Sequence, residues 1–152
     1  MNREKEVYVA CDLSDGFQLV TSGTTSACVW VSTNMTNYFF ARNSCRGKSA
    51  YLYTVKTIGK LEILQKNYDS TSLWVGLNDI DVENVFRWED DNTICDSTCR
   101  GQVFAQGEPN NEYDEEDCVH YYNSYRPSPF LNDKNCFTNL AYICEKPLFN
   151  MY

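Results

Sequence analysis

Histidine is almost missing from this chain: its 152 residues contain one, His120. A lone imidazole argues against most His-dependent catalysis and against zinc sites, which usually combine several His and Cys ligands. Positive charge is also short. Thirteen Lys plus Arg face 21 Asp plus Glu, a net charge of −8 with a pI near 4.6, so nucleic-acid backbones and anionic lipid surfaces are repelled overall. Long apolar runs are absent. Stretches such as Leu73 to Leu77 fall far below the roughly 18 residues of a membrane span. No internal repeat, low-complexity run or Pro/Gly/Ser-rich linker divides the chain. One folded domain is expected, and a 43% hydrophobic, 14% aromatic composition can build its core.

Cysteine, by contrast, is plentiful. Cys11, Cys28, Cys45, Cys95, Cys99, Cys118, Cys136 and Cys144 form an even set without the paired CxxC spacing of a zinc module, as in a disulfide-bonded, secreted protein. Met1 to Lys5 carry no apolar stretch of a signal peptide, so either a leader has been removed and Met1 added or the chain is exported another way; the first is the expectation. The triplet Asn34-Met35-Thr36 fits an N-glycosylation sequon, a frequent chance match.

Periodicity predicts two helices. Tyr38, Ala41 and Cys45 recur at helical spacing after Asn37, a suitable N-cap, and Gly47 is placed to end the element. A second helix starts at Thr57, buries Ile58, Leu61 and Leu64 or Ile63, and ends before Asn67. Strands are expected at residues 72–77, 86–88, 118–122 and 141–144. Between residues 89 and 116 regular periodicity vanishes in a stretch rich in Asp, Asn, Gly and Pro. A connection of that length suggests a functional loop, with Cys95 and Cys99 expected to staple it. The fold class is α+β.

Hard oxygen donors concentrate at Glu108-Pro109-Asn110, Glu116 and Asn132-Asp133, all outside the predicted helices. Carboxylates with side-chain amides suit Ca²⁺, which takes roughly six to eight oxygens in irregular geometry, whereas transition metals favour nitrogen or sulfur. Pro109, with its fixed φ and no N–H, can hold its two neighbours toward one point, particularly across a cis bond.

These residues resemble the C-type lectin-like domain family in its carbohydrate-binding, EPN-bearing form. The likeness spans most of the chain. It rests on Tyr38-x-x-Ala41-x-x-x-Cys45, Trp74-Val75-Gly76-Leu77, Gly107-Glu108-Pro109-Asn110, Glu116-Asp117-Cys118, Asn132-Asp133 and Ile143-Cys144-Glu145, in the family's order. The resemblance implies two helices, small antiparallel sheets and a long Ca²⁺-binding loop at about residues 89–116. It places the domain at residues 11–147, with an N-terminal hairpin extension at 11–34 and tails at 1–10 and 148–152. It further implies disulfides Cys45–Cys144, Cys118–Cys136 and Cys11–Cys28, which leaves Cys95 and Cys99 to each other.

By the same resemblance Glu108, Asn110, Glu116, Asn132 and Asp133 make a sugar-binding Ca²⁺ site. Glu108, Asn110, Glu116 and Asn132 also contact the sugar. Two vicinal hydroxyls then complete the metal's shell, while carboxylates accept and amides donate hydrogen bonds to those hydroxyls. The EPN order goes with equatorial 3- and 4-hydroxyls, as in mannose, fucose or N-acetylglucosamine, because exchanging acceptor and donor leaves the wrong sugar with unpaired groups. Asp79, Glu83 and Asn111 are implied as an auxiliary Ca²⁺ site bridged by Glu116. Reading residues 79–83 as an EF-hand fails, since Asn84 stands where that loop needs Gly.

The chain departs from the family pattern at Leu131 and Phe104, where Trp is usual, and in a longer segment from Tyr122 to Phe130. There Tyr125, Arg126 or Phe130 could extend or obstruct the pocket. The acidic residues Glu112, Asp114, Glu115 and Asp117 are read as a solvated loop, and Trp74, Trp88 and the Tyr38/Ala41 face as core. His120 is assigned a packing or surface role. The function expected is a secreted, non-enzymatic, Ca²⁺-dependent lectin for mannose- or fucose-type glycans. Its avidity would come from several sites presented together, although no heptad or collagen repeat assembles them. The alternatives are a protein-binding module with structural Ca²⁺ and a mineral- or ice-adhesion protein.

Overall fold

The computed structural model describes residues 8–68, 71–105, 107–111, 114–122 and 130–151. Its main sheet runs in the order β2 (Gln18–Ser22), β3 (Thr25–Val31), β9 (Ala141–Lys146), β5 (Leu73–Asn78), β7 (Cys118–Tyr122) and β8 (Phe130–Lys134). Two short strands branch from it, β4 (Tyr51–Leu52) on β9 and β6 (Arg87–Trp88) on β5. Small antiparallel sheets were the expectation. The sheet is instead one mixed assembly, because β5 lies parallel to β9 through Leu73↔Ala141 and Trp74↔Tyr142. A separate ribbon pairs β1 (Tyr8–Ala10) with β10 (Phe149–Met151), residues that the sequence reading placed in the two tails.

The helices α1 (Tyr38–Gly47) and α2 (Ile58–Asn67) begin where their caps predict: Asn37 Oδ1 accepts from Phe40 N and Thr57 Oγ1 from Lys60 N. Gly47 is the last residue of α1, as expected, and the left-handed turn falls on Ser49 at φ 56°. In α2 the buried side is Leu61, Ile63 and Leu64, while Ile58 in the first turn is 54% exposed, contrary to expectation.

Strand β5 shows how the sheet divides the core. Successive side chains point to opposite faces. Leu73, Val75 and Leu77 join the cluster that includes Leu61 and Leu64 of α2, whereas Trp74 joins Tyr38, Ala41 and Cys45 of α1. Both faces are covered, so β5 reads as a continuous apolar run. Gly76 is required there by crowding: a Cβ would stand 2.4 Å from the Leu52 carbonyl oxygen.

A third helix, α3 (Ser97–Val103), occupies the stretch expected to be irregular. Asp96 caps it by accepting from Cys99 N at 2.9 Å, and the Cys95–Cys99 disulfide spans its first turn. Seven residues give too short a run for helical periodicity to register in the sequence. All four pairings match the expectation: Cys11–Cys28, Cys45–Cys144, Cys95–Cys99 and Cys118–Cys136.

Candidate functional site

After α3 the chain is pinned to β8. Phe104 bridges Leu131, and Ala105 N donates to the Leu131 carbonyl at 2.9 Å. Phe104 and Leu131, where Trp is usual, are both buried, and the Phe104 ring lies 5.3 Å from that of Phe86. This anchoring brings the turn at Gly107 (φ 84°) and the cis Glu108–Pro109 bond beside Asp133. Along β8, Leu131 and Asp133 point inward and Asn132 is half-buried between them.

Asp133 organises the loop although it is a fully buried carboxylate. Its Oδ1 accepts from Asn110 N at 3.0 Å and its Oδ2 from Asn111 N at 2.6 Å, charge-assisted bonds that offset desolvation. Glu108 Oε2 also accepts from Asn110 N, at 3.1 Å. Asn111, in the left-handed region at φ 46°, receives Glu116 N on its Oδ1 at 3.1 Å. The backbone N–H groups of Asn110, Asn111 and Glu116 thus turn onto carboxylate and amide oxygens.

The result is a group of three acids, Glu108, Glu116 and Asp133, each with an oxygen within 4.8 Å of the others. Like charges that close cannot all ionise freely in a partly buried site. Glu108 yields: burial first, then its hydrogen bond to Asp133 and the charges of Asp133 and Glu116, push its carboxyl up to about 8.

A second group forms where β5 ends. Asp79, Glu83 and Asp117 each place an oxygen within 4.8 Å of the others. Asp79 N donates to the Asp117 carbonyl at 3.0 Å, and Asn84 N donates to Asp79 Oδ2 at 2.9 Å. Burial, with the charges of Glu83, Asp117 and Asp133, raises Asp79 to about 7, and Glu83 is raised by burial, then by the charge of Asp117 and a hydrogen bond to it. Asp79 Oδ1 is buried with no hydrogen-bond partner among the described residues. A buried, orphaned carboxylate oxygen facing two further acids fits a hard cation, and an all-oxygen donor set fits Ca²⁺ rather than zinc.

These placements revise one expectation. Glu116 groups with Glu108 and Asp133, while Asp117, expected in a solvated loop, joins Asp79 and Glu83. Neighbours in the chain, Glu116 and Asp117 serve different clusters. The Glu-Asp-Cys run offered that signal, but an acidic stretch hid it. Glu112 lies outside the described residues, as do Tyr125 and Arg126 of the longer segment.

Asn132 is drawn toward His120. The two face each other across β7 and β8, and Asn132 Nδ2 lies 3.0 Å from His120 Nε2. Burial, then the charge of Lys134, lowers His120 to about 3, so the imidazole is neutral at physiological pH. His120 is 3% exposed and its ring also stacks near Trp74 and Tyr122. Sequence reasoning gave it only a packing or surface role. The cross-strand register with Asn132 was not legible there.

Comparisons with known proteins fit this geometry. A family model described as Lectin C-type domain matches residues 23–146. CD209 antigen-like protein 2 of Macaca mulatta is 30% identical over 121 residues, covering 78% of this chain but 44% of its own length. The C-type lectin domain family 4 member E of Homo sapiens is 31% identical over 121 residues, covering 79% of this chain and 54% of its own length. The chain therefore spans about half the length of these relatives. Among solved structures, the C-type carbohydrate-recognition domain of cow CD23, in the presence of a GlcNAc2Man3 oligosaccharide, superposes with TM-score 0.67 at 26% identity, over 78% of this chain and 86% of that one.

Proposed function

Because the chain belongs to the C-type lectin domain family, we propose that it binds glycans through a Ca²⁺ ion held by Glu108, Asn110, Glu116, Asn132 and Asp133 and performs no covalent chemistry. The observation that carries this reading is the close grouping of Glu108, Glu116 and Asp133, with Glu108 pushed up to about 8 by burial and then by its hydrogen bond to Asp133 and the neighbouring charges. A divalent cation relieves the repulsion among those charges and, when bound, offers coordination positions to two vicinal sugar hydroxyls. The chain's own groups do the selecting. Glu108 and Glu116 accept from those hydroxyls, while the amides of Asn110 and Asn132 donate to them. His120, neutral and buried, accepts from Asn132 Nδ2 and steadies that amide.

The Glu-Pro-Asn order supports mannose, fucose or N-acetylglucosamine as the sugar class, and a relative studied with a mannose-bearing oligosaccharide is in keeping with it. Asp79, Glu83 and Asp117, with Asn111 nearby in sequence, are proposed as an auxiliary Ca²⁺ site that holds the loop. The functional domain is taken as residues 11–147, with 11–34 as its hairpin extension, working outside the cell. No helix among the described residues is long and apolar enough to cross a membrane. Useful avidity would come from a homo-oligomer, since one monosaccharide buries few atoms.

The test is retention on immobilised mannose in Ca²⁺, followed by elution with a chelator and, in parallel, with free mannose, fucose or galactose. Release by the chelator and by mannose or fucose, but not galactose, is expected. Flow-through, together with silence on a broad glycan array, overturns the reading.

One observation favours a second reading, a protein-binding module. Met35, Phe40 and Phe137 are 66%, 67% and 74% exposed, and Phe137 stacks on Phe39 at 5.6 Å. Partner capture that persists without Ca²⁺ and resists free sugar would mark that use.

A further inference from the structure

A different pocket, between α1 and β6, gathers cations in a chain of net charge −8. Arg42, Arg46 and Arg87 line it, half of the six arginines in the sequence. Local geometry explains why they meet. Arg42 and Arg46 stand four residues apart on one face of α1, and Arg87 stands two residues before Glu89 on the strand side that meets that face. Asn78 and Trp88 complete the walls, and Asp81 stands exposed at the rim.

Glu89 is the interior counter-charge, and it is saturated. Its Oε1 accepts from Asn78 Nδ2 at 2.8 Å, Tyr38 Oη at 3.1 Å and Arg42 Nη1 at 3.4 Å, while Oε2 accepts from Arg46 Nη2 at 3.2 Å. The guanidiniums are not equally served. The Arg42 contact is long, and Arg42 Nε is buried with no partner among the described residues. Arg87 pairs with no carboxylate among them; its Nη1 donates to the Asn92 carbonyl at 3.0 Å. Three permanent cations therefore share two carboxylates, and donors are left over. Their space is about 280 Å³. That lies just under the roughly 300–1,000 Å³ typical of small-molecule sites, enough for one charged group and its carrier atoms but not for an oligosaccharide.

The geometry points to a binding site for a tetrahedral oxyanion, a sulfate or phosphate ester on a small ligand. Guanidinium forks match such groups, and three forks suit three terminal oxygens better than the two of a carboxylate. The site is independent of the Ca²⁺ reading: it uses none of the residues proposed to hold the metal.

The experiment uses protein freed of divalent cations by dialysis, so that sugar binding through Ca²⁺ is silent. It is titrated at constant ionic strength with sulfate, phosphate, acetate and chloride while the arginine Nε–H resonances are followed by NMR. Saturable shifts at Arg42 and Arg87 are expected with sulfate or phosphate. Acetate should bind at least about fivefold more weakly, and Arg87→Gln should raise the apparent Kd for the oxyanion at least about fivefold. Galactose 6-sulfate and glucose 6-phosphate then tell which ester is taken. Arg87→Gln spares the Glu89 network; Arg46→Gln, whose side chain is 57% exposed, provides a second variant expected to fold. Shifts that never saturate, acetate binding as well as sulfate, or unchanged affinity in both variants would overturn the proposal.

Discussion

Protein stripped of divalent cations should lose stability as pH rises from about 6.5 to 8, and Ca²⁺ should abolish that loss. The sign comes from Glu108 and Asp79, raised to about 8 and about 7 in the folded state. An acid with a raised folded pKa keeps its proton where the unfolded chain has released it. Its stabilisation is complete below the ordinary carboxylate range and is lost as pH climbs through the folded value. His120, lowered to about 3, works oppositely, adding stability only up to its unfolded value near 6.5. The interval above about 6.5 therefore isolates the carboxylates. One proton held by Glu108 across about 1.5 pH units is worth at most about 2 kcal/mol. Glu108 is only half-buried, and solvent screening brings that to about 1 kcal/mol. In a domain of this size the melting temperature should fall by about 2–4 °C. Thermal unfolding followed by circular dichroism, with and without Ca²⁺, reads the effect. A level metal-free melting temperature over that interval, or an equal fall in Glu108→Gln, refutes the account of crowded carboxylates.

Three further outcomes are expected. Glu108→Gln with Asn110→Asp, which exchanges acceptor and donor, should weaken mannose retention at least about tenfold and admit galactose while the melting temperature holds; undiminished mannose binding sinks the site. Replacing Cys45 and Cys144 by Ala opens a loop of sequence separation 99 and should cost on the order of 4–5 kcal/mol in urea denaturation. Removing Cys95–Cys99, of separation 4, should cost no more than about 2 kcal/mol, and similar losses for both bridges would contradict the loop-entropy argument. Asp117→Asn should reduce the Ca²⁺-induced rise in melting temperature more than Asp114→Asn does, and equal effects would remove Asp117 from the auxiliary cluster.

Much of this was legible where one residue type has one physical use. Asn37 and Thr57 marked helix starts because their side chains cap orphan N–H groups, and the β-branched, aromatic run at β5 announced a strand. The grouping of Glu108, Glu116 and Asp133 was foreshadowed by oxygen donors spaced along non-helical chain. Other features depend on tertiary register. The Asn132–His120 contact arises from strand pairing, the parallel β5–β9 alignment from a connection of more than sixty residues, and the split of Glu116 from Asp117 from the path of a single loop. Helix α3 escaped because a disulfide and one cap, rather than an amphipathic pattern, hold it.

The β1–β10 ribbon, with Val9 opposite Asn150, makes the polypeptide enter and leave the fold at one place. A unit whose ends emerge side by side is portable. It can be spliced into a surface loop of a host protein or circularly permuted through a short Gly/Ser joint without stretching the core. Repeated units could likewise be strung like beads, each hanging from a common cord by a single knot.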